Sequence, residues 1–337
     1  MKKIPFSKPT INHEEVAAVK HVLLSGHLTT GQETAWFEKE FAKYVGSKYA
    51  VFVNSCTSAL KLSVLWKKKQ LDEVWTVIVP SLTFTATVNE VVEAGMLPLF
   101  ADVREGDLCL DIKGKYKNTI VITVHLGGNE SKIRGKHVIY DSAHLIRRGC
   151  HIKNSIGCYS FYPTKNMTTG EGGMICTDDK KFRDWAIKAR HHGRSKAIGS
   201  SDVEFISSKY NNTDIAAAIG RVQLRALDYF NKRRDEIVEW YNEKLGTKWT
   251  GNHLFIIRVK RRDRFMKLME KAGIGASIHF HPVHKMSAYK KDYGHIYLPV
   301  TEKVSKEIVS LPLFPTLTRE EVNYICEEVT KSGLLLR

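Results

Sequence analysis

From residue 50 to residue 177 the chain repeats one pattern, a short β-rich apolar run followed by a segment with helical spacing. The runs fall at 50–53, 75–79, 97–101, 119–124 and 137–140, and two more, at 157–161 and 173–177, surround a Gly/Thr-rich loop. Strands joined through helical segments predict βαβ units, hence a mainly parallel sheet with helices on both faces and an α/β fold. Ahead of this region, Val16, Val19, Leu23 and Leu24 share one helical face, and the stretch 26–31 reads as a turn. From Asp214 the pattern is helical, with Ile215, Ile219, Val222 and Ala226 on one stripe, and 232–244 continues it. Past a lobe boundary expected near 235, the segments 253–259, 265–272, 276–280 and 319–329 read as strand, helix, strand and helix. The expected division is therefore 1–235 for an N-terminal arm and large domain, and 236–337 for a small α+β domain.

A chain of 337 residues can bury a substantial core, and 43% hydrophobic with 26% charged residues is ordinary globular usage, which excludes disorder and fibrous repeats. No apolar stretch is long enough for a membrane span and no signal-peptide core follows Met1, so a cytoplasmic location is expected. The six cysteines form no C-x-x-C pair, which predicts free thiols and no structural metal. Lys+Arg exceed Asp+Glu by 52 − 36 = 16, a surplus that favours phosphorylated or polyanionic partners. The basic residues are spread along the chain and no base-reading motif accompanies them, so nucleic acid is disfavoured as the partner.

Three short segments carry candidate chemistry. Residues 54–58, Asn-Ser-Cys-Thr-Ser, sit between a buried strand and a helical run, where free N–H groups, a helix dipole and hydroxyls suit a phosphate; taken alone, the segment is better explained as a plain helix cap. Asp141 stands where an apolar strand ends, the edge at which open α/β sheets bind ligands, although a cap or a buried ion pair would also account for it. Lys165 lies in Ser160-Phe161-Tyr162-Pro163-Thr164-Lys165-Asn166-Met167-Thr168-Thr169-Gly170-Glu171-Gly172-Gly173, a loop dense in glycine and hydroxyls between two apolar strands. A lysine in a site of low polarity becomes a nucleophile, and an aspartate opposite it suits pyridoxal phosphate: the acid keeps the ring nitrogen protonated while the amine holds the aldehyde.

The order of these segments resembles the DegT/DnrJ/EryC1/StrS family of sugar aminotransferases. The similarity also takes in the arm Pro5-Phe6-Ser7-Lys8-Pro9, Pro80-Ser81-Leu82-Thr83-Phe84-Thr85-Ala86-Thr87, Val124-His125-Leu126-Gly127-Gly128, Lys209-Tyr210-Asn211-Asn212-Thr213-Asp214-Ile215, and the strings SIHFHPVH and LPLFPTLT. The resemblance implies fold type I of the pyridoxal-phosphate enzymes: a seven-stranded, mainly parallel sheet sandwiched by helices, plus a small α+β C-terminal domain. It implies Lys165 as the lysine that holds the cofactor, Asp141 as partner of the pyridine nitrogen, His144 near the ring hydroxyl and Phe84 stacked on the ring. Thr57, Ser58 and Ser160 would bind the phosphate, joined by Lys209 from the neighbouring subunit of a homodimer with shared sites. Cys56 replaces a glycine usual in the family, and Lys209 stands where Asn is frequent.

What the resemblance implies of activity is transfer of an amino group from L-glutamate to a nucleotide-linked keto-sugar, with pyridoxamine phosphate as the intermediate form of the cofactor. The sugar expected is a 4-keto-6-deoxy hexose, giving a 4-amino sugar. The alternatives are a 3-keto sugar or cyclitol as acceptor, or a cofactor-holding sensor without turnover. Arg190, His191, His192, Arg194 and the run 258–264 are candidates to hold substrate anions, and His279, His281 and His284, with no carboxylate among them, are not expected to bind metal.

Overall fold

A computed structural model describes residues 3–71, 75–112, 119–195 and 202–336. The helices are α1 (His13–Ser25), α2 (Gln32–Val45), α3 (Cys56–Gln70), α4 (Ala86–Glu93), α5 (Lys180–Ala189), α6 (Asp214–Leu245), α7 (Arg262–Lys271), α8 (Ser287–Tyr293), α9 (Pro299–Val304) and α10 (Arg319–Lys331). The strands are β1 (Tyr49–Val53), β2 (Thr76–Pro80), β3 (Leu97–Ala101), β4 (Ile120–Val124), β5 (Val138–Asp141), β6 (Ile156–Ser160), β7 (Gly173–Thr177), β8 (Phe255–Arg258) and β9 (Ile308–Leu311). No helix among the described residues is long and apolar enough to cross a membrane.

The first seven strands form one sheet in the order β1-β7-β6-β5-β4-β2-β3, parallel except that β7 runs against both its neighbours. This is the seven-stranded, mainly parallel sheet expected. Every residue of β4, β6 and β7 is buried, as strands covered on both faces must be. The alternation of side chains sorts the two cores: Val51 and Val53 pack with α3, α4 and α5, whereas Ala50 and Phe52 pack with α2 and α6 on the opposite face. Strands β8 and β9 pair antiparallel as a small second sheet, packed with α7, α10 and the far half of α6.

Local chemistry places the ends of these helices. Asn12 and Glu15 form a reciprocal capping box on α1, and Gly26 ends it in the left-handed region at φ 72°. Asp214, in the first turn of α6, accepts from the N–H groups of Gly31 (2.8 Å) and Thr34 (2.9 Å) and so also caps α2. These bonds fix the 26–31 turn against the start of α6.

Residue 235, near which a lobe boundary is expected, lies within the continuous 32-residue helix α6, whose apolar stripe passes from the large core at Leu227 to the small one at Ile237. Other elements differ from the reading of the sequence. The segment 276–280 is not a strand; it makes a single bridge, Ser277 to Ser310, and the partner of β8 is instead β9. Helix α2 and strand β9 were not foreseen: α2 interleaves charged residues with its buried Phe37 and Phe41, and β9 is only four residues long.

Candidate active site

Because β1, β2, β4, β5 and β6 point the same way, the segments after them meet at one edge of the sheet. A cavity of about 360 Å³ opens there. It is lined by the α3 N-terminus after β1, by Thr83 and Phe84 after β2, by Asp141, Ala143 and His144 after β5, and by Ser160, Tyr162, Thr164 and Lys165 after β6. The second lobe adds His253, His279 and Phe280, and the N-terminal arm adds Phe6 and Ser7.

Asp141 is 5% exposed and closes the floor of this cavity. Its Oδ2 accepts from Thr87 Oγ1 at 2.7 Å, its Oδ1 from the Ala143 N–H at 3.1 Å, and the Cys56 thiol stands 4.0 Å from Oδ1. Thr83 supports Thr87 through a 2.8 Å hydroxyl contact. Burial pushes the Asp141 carboxyl up; the Thr87 and Ala143 bonds and the through-space pull of Lys165 only partly oppose it. Its donors are thus neutral groups, and such a carboxylate is stabilised by a cation entering the cavity.

Lys165 lies partly buried in the loop after β6, held by its own N–H to Tyr162 O (2.9 Å) and by Arg234, whose guanidinium reaches the Lys165 carbonyl at 3.4 Å. Burial lowers the amine to about 8 against the attraction of Asp141 and Cys56. The neutral, nucleophilic amine therefore dominates above pH 8 instead of above the usual lysine range. In the cofactor-free protein, capture of an aldehyde by Lys165 is expected to speed up with a midpoint near pH 8. Rates followed by absorbance from pH 6 to 10 check this; a midpoint near that of an exposed lysine would contradict it.

His144 accepts from the Gly127 N–H through Nδ1 at 3.3 Å, so its neutral ring carries the proton on Nε2. Burial, then Lys165, His253 and His279, hold it well below the ordinary range and keep it neutral. The His253 ring packs 4.3 Å from it, and the Phe280 ring lies 6.0 Å from it in a stacked arrangement. Phe84 is 58% exposed, lines the cavity and meets Phe280 at 6.0 Å in a tilted contact.

At the far end Ser55 caps α3, accepting from the Ser58 N–H at 3.1 Å. Ser55, Cys56 and Thr57 line the cavity beneath the helix N-terminus, and Ser160 joins them. Ser58 does not line it: its hydroxyl is 2.6 Å from Asn54 Oδ1 and shapes the turn from behind. A Cβ on Gly173 would fall 2.3 Å from the Ser55 carbonyl carbon, so only glycine lets β7 lie against this turn. Lys209 also lies outside the cavity of its own chain, exposed and bonded to Asn211 Oδ1 at 2.8 Å.

Of the other basic candidates, Arg190 is buried and spent on Glu38 and the Phe52 carbonyl, and Arg258 pairs with Glu105 and Glu307. None of Arg190, His191, His192, Arg194 or Arg258 lines the cavity. His279 and His284 point to different partners, Ser310 Oγ at 2.9 Å and Ser81 Oγ at 2.5 Å. Among the described residues no group of three or more potential ligands could hold a metal ion. The sequence did not single out Thr87 or His253: a threonine at the second position of α4 and a histidine just before a short strand carry no spacing signal.

The geometry suits pyridoxal phosphate: an amine, a buried carboxylate awaiting a cation, a flat face beside Phe84, and a helix N-terminus for a phosphate. Comparison with known proteins agrees. The DegT/DnrJ/EryC1/StrS aminotransferase family matches residues 9–330. The spore coat polysaccharide biosynthesis protein SpsC of Bacillus subtilis (strain 168) is 35% identical, over 97% of this chain and 96% of its own. Helicobacter pylori PseC, an aminotransferase involved in the biosynthesis of pseudoaminic acid, superposes with a TM-score of 0.89 at 25% identity, covering 98% of this chain and 99% of PseC. Spr1654 from Streptococcus pneumoniae is solved in a PLP form (TM-score 0.87, 27% identity, 98% of this chain and 99% of that one) and in a PMP form. The chain belongs to the DegT/DnrJ/EryC1/StrS aminotransferase family and has the fold type I architecture of the pyridoxal-phosphate aminotransferases.

Proposed function

We propose that this protein is a cytoplasmic, pyridoxal-phosphate-dependent aminotransferase that moves an amino group from L-glutamate to a nucleotide-linked keto-sugar, a 4-keto-6-deoxy hexose that becomes a 4-amino sugar. The observation that carries the reading is the pairing, in one cavity, of a depressed lysine amine with a buried carboxylate that neutral donors hold.

When bound, pyridoxal phosphate supplies an aldehyde that takes up amino groups and a cationic ring that accepts the electron pair left by a departing proton. The protein does the rest. Asp141 balances the ring nitrogen's charge, and Thr87 and Ala143 keep the carboxylate aimed into the cavity. His144 presents Nε2–H, Phe84 offers its ring, and Thr57, Ser160 and the α3 N-terminus hold the phosphate, with Ser58 shaping that turn. Lys165 Nζ, once released, takes a proton from the donor substrate and returns it at the neighbouring carbon; the sugar half-reaction runs the same transfer backwards.

The net charge of +16 favours an anionic nucleotide diphosphate as acceptor. Incubation with glutamate and a panel of nucleotide 4-keto-6-deoxy sugars, read by mass, is expected to yield an amino sugar. A bleached cofactor band with no such product transfers the assignment to 3-keto sugars or cyclitols, and no bleaching at all supports the sensor instead.

The working unit of the proposal is a homodimer with Lys209 reaching the partner's phosphate. An exposed Lys209 outside its own cavity fits this. Mixing inactive Lys165→Ala with impaired Lys209→Ala protein is expected to restore activity, because the hybrid contains one complete site. No gain on mixing, with exchange of subunits verified, would contradict shared sites.

A further inference from the structure

A second, far smaller cavity touches the Lys165 loop from the side of α6 and the N-terminal arm. It leaves about 10 Å³ for a water-sized sphere, and Thr10, Asn166, Thr168, Gln223, Phe230 and Arg234 help to line it. Three of these residues own a buried polar atom with no protein partner: Thr10 Oγ1, Asn166 Oδ1 and Arg234 Nε.

Arg234 is 5% exposed, and its two terminal nitrogens reach the carbonyls of Asn166 (3.3 Å) and Lys165 (3.4 Å). Burial lowers it to about 10, with Asp235 opposing only through space. A guanidinium in this position needs an acceptor for Nε–H. Asn166 needs the reverse. Its Nδ2 donates to Asn231 Oδ1 at 2.9 Å, and Asn231 is fixed by its own bond to Ile146 O at 2.8 Å, so the amide of Asn166 is oriented and Oδ1 faces no donor. A cavity of roughly 10–15 Å³ on this measure holds one water, which typically makes about three hydrogen bonds.

We propose that one ordered water molecule occupies this cavity, accepting from Arg234 Nε–H and donating to Asn166 Oδ1 and the Thr10 hydroxyl, and that it couples the arm and α6 to the loop presenting Lys165. Gln223 makes the direct form of the same bridge, donating to Thr10 O at 2.8 Å and accepting from the Thr168 N–H at 3.4 Å. A halide would accept from Arg234 and Thr10 but would set an anion against the Asn166 oxygen, so the donor and acceptor pattern selects water. Thr10 and Arg234 are then positioning residues for Lys165; this last step rests on the proposed role of Lys165, while the water site does not.

Crystals soaked in bromide, together with hydrogen exchange in solution, test the proposal. The expected result is a water-sized peak within bonding distance of all three atoms and no bromide signal. The protected amides of Lys165 and Thr169, bonded to Tyr162 O and Phe161 O, should exchange about fivefold faster in Thr10→Val and at the normal rate in Thr10→Ser. A bromide peak, an empty cavity, or unchanged exchange in Thr10→Val overturns it. Both readouts work on cofactor-free protein, so they stand or fall separately from the chemistry assigned to Lys165.

Discussion

Alanine in place of Lys165 is expected to lower the glutamate half-reaction by roughly 10⁴-fold, because that one amine both holds the cofactor and moves the proton. The fold should survive, since the side chain lies on a loop whose backbone is held by Tyr162, Phe161 and Arg234 rather than by the amine. Cofactor should still bind, more weakly, at the α3 N-terminus and Asp141. A small exogenous amine added to Lys165→Ala should restore part of the proton transfer without restoring the covalent hold. Stopped-flow absorbance with and without that amine separates the two roles; a loss of less than about tenfold would mean that another group does the chemistry.

Asn in place of Asp141 should separate activity from stability. The substitution keeps the shape, with the amide oxygen accepting from the Ala143 N–H and the NH2 donating to the Thr87 hydroxyl, but removes the charge that steadies the ring nitrogen, so turnover should fall by roughly 10²–10³-fold. In cofactor-free protein the same change should leave the fold as stable or make it more stable at neutral pH. The sign follows from burial: the Asp141 carboxyl is raised in the folded protein, so the folded state holds this proton after the unfolded state has lost it. Its contribution to stability therefore declines as pH rises through the window above the ordinary aspartate value, and the uncharged amide escapes that decline. Thermal melts of cofactor-free wild type and variant from pH 4 to pH 7 check this. A helix cap or a buried ion pair predicts the opposite, a destabilised variant with near-normal turnover.

Much of this site could be read from the sequence because its chemistry sits where strands end. Asp141 and Lys165 each follow an apolar run, and the sheet topology alone brings them to one edge. Thr57 and Ser160 reach the same cavity for the same reason. Ser58, next in line, bonds Asn54 through its hydroxyl, a contact that spacing at a helix N-terminus does not reveal. Thr87 escaped notice because its role depends on the packing of α4 against β5, and His253 because a different lobe delivers it. Arg190 misled because composition shows a cation without showing Glu38 beside it. The long helical run from Asp214 through 244 is legible because its apolar stripe continues, through Leu227, Phe230, Ile237 and Tyr241, while the core it packs in changes.

The account rests on a bond between one side chain and one coenzyme. Protein loaded with pyridoxal phosphate, reduced with borohydride, digested and mapped by mass is predicted to carry the coenzyme on Lys165, in the peptide spanning Ser160 to Gly173. The label should be absent from Lys165→Ala and weakened in Asp141→Asn. Coenzyme fixed to a different lysine, or no fixed coenzyme in protein shown to be folded and saturated, would contradict it.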